Sequence, residues 1–126
     1  MHYRATIIFL LLTSAFACSS ETISPDAIIT LKVKADDFAE ARMVMYKFAI
    51  DENMFFYDDS HLWPSGKKVV NLRLTRADKL DVSMLGLAKT NELAVAFYCN
   101  KKCKNWESVY KRLKPQLEKR WEIVNK

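Results

Sequence analysis

Residues 93–121 constrain the fold more than any other part of the chain. The run Leu93-Ala94-Val95-Ala96-Phe97-Tyr98-Cys99 is apolar on both alternating sides, the pattern of a strand with neighbours on each flank. A tight Asn100-Lys101-Lys102-Cys103 connection follows, and then an amphipathic helix predicted over 104–124. Trp106, Val109, Tyr110, Leu113, Leu117, Trp121 and Val124 fall within an arc of roughly 120° at 100° per residue. A stripe of that width needs a sheet or a second helix to lie on, so the preceding chain reads as material that packs onto this unit. Pro115 removes a helical hydrogen bond opposite the centre of the stripe. It either curves the helix around the sheet or opens a second, shorter helix.

The segments before it supply that material. Residues 27–34 alternate, with Ile29, Leu31 and Val33 facing one way and Ile28, Thr30, Lys32 and Lys34 the other, which predicts a half-buried strand. Asp36 is placed to cap a helix over 37–52. Phe38, Ala41, Val44, Met45, Phe48 and Ala49 form its main stripe, while Met43, Tyr46 and Ile50 add apolar surface on another side. This helix is therefore expected to be contacted on more than one face. Asn53 suits the left-handed position after a helix end. A short aromatic strand over 54–57 leads into a loop at 58–68, with Pro64 and Gly66 marking a turn. Val70, Leu72 and Leu74 point inward along a strand at 69–75, with Asn71 and Arg73 outward. Leu80, Val82 and Met84 alternate in the same way, so 80–87 is read as a strand in preference to a helical turn, although Leu85 and Gly86 blur the pattern. Hairpins in the middle and helices without a strand after each of them indicate α+β. The expected architecture is a mostly antiparallel sheet of four or five strands with two helices packed on one face, loosely ferredoxin-like.

The first residues have another character. Met1-His2-Tyr3-Arg4 is a short basic start, residues 5–12 are apolar except for Thr6, and small residues follow to Ala17. This is the pattern of a secretory signal peptide, too short to span a bilayer as a stable helix. Ala15-Phe16-Ala17-Cys18 resembles the lipobox of a bacterial lipoprotein precursor, with a small residue before the cysteine; Ala15 stands where leucine is usual. The resemblance covers residues 1–18 alone. It implies acylation of Cys18 and, with Ser19 in place of aspartate, an outer-membrane anchor facing the periplasm. Ordinary cleavage after Ala15-x-Ala17 would instead give a soluble periplasmic or secreted protein. The expected organisation is a signal at 1–17, a lipidated N-terminus and tether at 18–26, and one domain at 27–126.

Cysteine counting agrees with export. Of three cysteines, acylation of Cys18 leaves Cys99 and Cys103 as a pair in a compartment that permits disulfides. A structural bridge is favoured over a redox dithiol, which would use Cys-x-x-Cys, and over half a metal site, which would need further ligands. Residues 101–126 hold nine Lys/Arg against three Glu, while 18–100 hold ten against twelve acids. A solvated helix face accounts for the basic end; an acidic protein or an anionic membrane surface are the functional alternatives. Nucleic acid would fit the charge but not an exported location.

No catalytic constellation is legible. His61 is the single histidine after residue 17 and only Gly66 and Gly86 are present, so neither a nucleophile–base pair nor a phosphate loop is available. No catalytic residue, cofactor or metal is expected. The leading reading is a small envelope lipoprotein that binds a protein partner, as an immunity or inhibitor protein or an assembly accessory. Lys32 and Arg73, on the sheet face the helices do not cover, are candidate contacts. The alternative is a small-ligand or metal-binding module using the 57–68 loop, with Tyr57, Asp58, Asp59, His61 and Trp63. The blander account of that loop has Trp63 folding back onto the core.

Overall fold

The computed structural model describes residues 23–64, 68–99 and 103–124. The expected signal at 1–17, the lipidation residue Cys18, the tip of the 58–68 loop and the connection at 100–102 lie outside the described residues. Within them the order is β1 (Ala27–Lys32), a 3-10 turn (Ala35–Asp37), α1 (Phe38–Asp51), β2 (Phe55–Asp58), a second 3-10 turn (Ser60–Leu62), β3 (Val69–Thr75), β4 (Leu80–Leu87), β5 (Glu92–Cys99) and α2 (Trp106–Glu118).

All strands pair antiparallel in one five-stranded sheet of order β1-β5-β4-β3-β2. A ten-residue loop between β2 and β3 and short turns after β3 and β4 make β2 to β5 a meander, and β1 closes onto its last strand. The apolar alternation places Ile29 and Leu31 of β1, Leu72 and Leu74 of β3, Leu80, Val82 and Met84 of β4 and Leu93, Val95 and Phe97 of β5 in one core. The fold is α+β, with α1 over β2 and β3 and α2 over β5. Phe97 meets Tyr110 of α2 edge-on, ring centroids 5.3 Å apart. β5 lies between β1 and β4, where its doubly apolar pattern predicts it.

Left-handed backbone appears where the chain must reverse. Asn53, Lys79, Asn91 and Asn105 have φ between 52° and 69°, and three of the four are asparagine, whose short amide tolerates that region. At the turn carrying Lys79, Arg76 grips Asp78 through Nε and Nη2 at 2.7 and 2.8 Å. The Lys104 amide donates to the same carboxylate at 3.0 Å, and Arg76 reaches back to the Lys104 carbonyl. The guanidinium holds the Asp78 carboxyl well below the usual carboxylate range, against burial. This clamp ties the β3–β4 turn to the segment after Cys103, which sits at disulfide distance from Cys99 with Cα atoms 5.6 Å apart.

Three expectations are corrected. The first helix begins at Phe38; Asp36 lies in the preceding 3-10 turn, and no side-chain cap bond forms at either start. The last helix runs through Pro115 as one piece but ends at Glu118 instead of 124. The chain then turns, Trp121 packs into the core, and Ile123 bridges Leu31. Backbone bonds from Lys32 to Glu122 and from Val124 to Thr30, at 3.0 and 2.8 Å, complete a short extension beside β1. The hydrogen-bonding edge of β1 thus competes with helix continuation and takes residues 122–124. Asp26, placed by sequence in the tether, is bonded to β5: its amide donates to Phe97 O and its carboxylate accepts from the Cys99 amide, both at 2.7 Å.

Gly86, which blurs the strand pattern, is required by packing. A Cβ there would lie 2.9 Å from Val70 Cγ1 and 3.2 Å from the Phe38 ring, so the first turn of α1 sits directly on this strand. Gly86→Ala is expected to lower unfolding stability by about 1–3 kcal/mol, the usual range for core overpacking. Urea denaturation against the parent chain measures it.

Candidate functional site

The face of the sheet turned away from the helices is the candidate site. Strand register lays it out in rows. One row reads Ile28, Ala96, Ser83, Arg73, Tyr57 from β1 to β2, and the next holds Tyr98, Asp81, Thr75 and Phe55. Small side chains occupy the middle, at Ala94, Ala96 and Ser83, while larger ones stand at the flanks. Beside Ser83 a hollow of about 440 Å³ opens at the end of the sheet, bordered by Asp26, Arg73, Lys79, Asp81 and Tyr98.

Arg73 organises this face. Its guanidinium lies over the Tyr57 ring, 5.0 Å from the centroid, a cation–π contact between cross-strand neighbours. Asp81 faces the same hollow from β4. Burial pushes its carboxyl above the ordinary value, and the positive charge of Arg73 opposes that only in part. Two cations, two carboxylates and a phenol around a shallow depression offer hydrogen bonds of both polarities to an extended chain.

The sequence-predicted residues do not form one site. Tyr57 and Arg73 come together on the open face. Lys32 lies three strands from Arg73, about 14 Å across the sheet, where its ammonium is 3.9 Å from Glu122. Asp58 turns to the helix side and is a latch: its carboxylate accepts from Arg42 Nε at 2.8 Å and from the Ser60 amide at 3.0 Å. Burial raises the Asp58 carboxyl, but the Ser60 bonds and Arg42 outweigh it and leave the group below its ordinary value. Ser60 Oγ in turn accepts from the Asn71 amide at 2.9 Å. Asp59 is half-buried, with its amide bonded to Asn71 O, and His61 is exposed on the 3-10 turn. Trp63 is half-buried and stands outside the main hydrophobic cluster of the described residues. Among the described residues no three His, Cys, Asp or Glu side chains are grouped to hold a metal ion.

Sequence reasoning missed Asp81, Ser83, Leu85 and Tyr98. Their signal was present, as the positions alternating with the buried set of β4 and β5, but it becomes readable only when register aligns those strands with β3. The basic end also changes meaning. Arg112 pairs with Glu52 at 2.5 Å and Arg120 with Glu40 at 3.2 Å, so part of that charge fastens α2 to α1. Comparison with protein-family models, with curated proteins and with solved structures returns no match.

The Asp81 shift has a defined sign. Its folded pKa lies above the ordinary value of 3.8, so its contribution favours folding at low pH and is lost as pH rises through the folded pKa. Asp81→Asn is therefore expected to raise the melting temperature at neutral pH, by a margin that disappears near about pH 3. Calorimetry across that range measures it; a lower melting temperature at neutral pH would contradict the assigned burial cost.

Proposed function

We propose that this chain is a small exported, lipid-anchored envelope protein that binds a protein partner through the open face of its sheet, without catalysis of its own. The observation that carries the reading is the apolar and aromatic surface on that face. Phe55 is 65 % exposed and Tyr57 is exposed beside Arg73, while Leu85 is exposed on β4 and Ile28 at the far flank on β1. Exposed apolar and aromatic side chains beside polar groups are what protein partners cover, and aromatic and arginine side chains are enriched where such contacts are strongest. The basic, then apolar, then small-residue N-terminus and Cys18 support export and anchoring. Among the described residues no helix is long and apolar enough to cross a membrane. Neutralisation of a delivered toxin and assistance in envelope assembly are both forms of this activity. A metal or ligand site in the 57–68 loop is less favoured, because Asp58 is already held by Arg42 and Ser60.

Site-specific photo-crosslinking in the native host tests the surface. A photoactivatable residue at Ser83 should capture a partner that one at Lys111, on the outer side of α2, does not. Arg73→Glu should weaken that capture by about tenfold or more, as expected when a central contact is lost. Equal capture from Lys111, or capture indifferent to Arg73→Glu, would remove the open face from the proposal. Intact mass of membrane and soluble fractions tests the anchor separately. The expected species carries a triacylated Cys18 and gains two hydrogens on reduction; a soluble species with unmodified Cys18 would leave partner binding without the anchor.

A further inference from the structure

The hollow at the end of the open face gathers charge that the fold does not use. Asp26, Arg73, Lys79, Asp81 and Tyr98 border it, and its volume of about 440 Å³ lies within the range of small-ligand sites. Beyond the contact of Arg73 with the Tyr57 ring, the side chains of Arg73, Lys79 and Asp81 make no hydrogen bond or ion pair among the described residues. Arg73 stands opposite Ser83, and Asp81 opposite Thr75, so the two charges are diagonal neighbours about 7–8 Å apart at the backbone. Asp81 therefore bears a cost of burial with no donor to offset it.

The charges are laid out by sign. Tyr98 of β5 pairs with Asp81, and one carboxylate oxygen of Asp26 holds the Cys99 amide at 2.7 Å. The carboxylates thus lie around Tyr98 on the β5 side, and Arg73 lies on the β3 side. Lys79 has a φ of 69°, in a turn that the Arg76–Asp78 pair fixes. A simple anion here would meet two carboxylates, and a simple cation two basic groups. A ligand with one charge of each sign, joined by a short spacer, meets complementary groups at both ends. Phosphate suits Arg73 and Lys79, which donate to its oxygens. A primary ammonium suits the other side, where it donates to carboxylates.

The path of the chain selects the source of such a ligand. Ile23 and Ser24 line the same hollow, and Cys18 precedes Ile23 by five residues. Five residues span at most about 18 Å, so a lipid anchor on Cys18 would hold the hollow close to the membrane surface. We propose that the hollow binds the phosphoethanolamine headgroup of a membrane lipid, with phosphate toward Arg73 and Lys79 and ammonium toward Asp81 and Asp26. The headgroup chemistry rests on the hollow alone; the lipid as its source rests on the anchor proposed above.

Two-dimensional NMR of the full-length Cys18→Ser chain in phosphatidylcholine bicelles tests both parts. Soluble phosphoethanolamine should shift the amide signals of Lys79, Asp81 and Ser83 saturably, and replacing part of the lipid by phosphatidylethanolamine should shift the same signals. The amide of Lys111, on the outer side of α2, should not respond. Phosphocholine, whose quaternary ammonium cannot donate, and inorganic phosphate should each bind about tenfold more weakly or worse. Lys79→Gln and Asp81→Asn should each weaken binding about tenfold, and their unshifted core signals check that both remain folded. Absence of a saturable shift overturns the site. So does an equal response to phosphocholine or inorganic phosphate, or indifference to both variants. A response to soluble phosphoethanolamine without one to the lipid overturns the lipid source. An unmodified Cys18 by intact mass, with the lipid response present, would overturn the anchor and leave the site standing.

Discussion

Leu93, Val95 and Phe97 project from the interior strand β5 into the space beneath the helices, and the rest of the core is arranged around them. β5 pairs with β1 on one side and β4 on the other, so it joins the first element of the domain to the meander. Val109, Leu113 and Leu117 of α2 close over it, with Tyr110 against the Phe97 ring. Removing apolar area from water is the dominant favourable term in a domain of this size, and here that area is gathered on one side of one sheet. The ion pairs of Arg112 with Glu52, just past the end of α1, and of Arg120, just past the end of α2, with Glu40 are surface contacts between the two helical segments. Surface pairs of this kind contribute little to stability.

One-sided burial has consequences for the other side. A sheet has two faces and two edges, and two helices of this length cover one face. Residues 122–124 cover the Thr30–Lys32 part of one edge. What remains is a face with small side chains at its centre and Arg73, Tyr57 and Phe55 toward β2, together with the β2 edge itself. Functional contacts are expected where the fold leaves ordered apolar surface unburied, and here both remaining surfaces meet at β2.

The 58–68 loop shows why residue type alone is a weak guide to a site. Two acids, a histidine and a tryptophan suggest a binding loop. In the fold, Asp58 and Ser60 join α1, the loop and β3 through Arg42 and the Asn71 amide, so the most suggestive carboxylate holds the loop in place. Asp81 is the converse. Nothing in its immediate sequence marks it, yet its place beside the hollow gives it a carboxyl raised by burial. Charge and hydrogen-bonding capacity are written in the chain, but whether a group is consumed by the fold or left available depends on neighbours distant in sequence.

Much of the architecture was legible in the sequence because it follows from local periodicity. Alternation at 27–34, 69–75 and 80–87 predicts strands and their inward residues, the doubly apolar run at 93–99 predicts a central strand, and the 3.6-residue stripes of α1 and α2 predict their buried faces. Asn53 marks its left-handed turn. Tertiary structure alone decided where the last helix ends, because the bare edge of β1 offers residues 122–124 backbone partners that no helical pattern reveals. It also decided the site. Arg73 meets Tyr57 and faces Asp81 only through strand register, and register is a relation between segments, set by which faces are buried together and absent from any one of them.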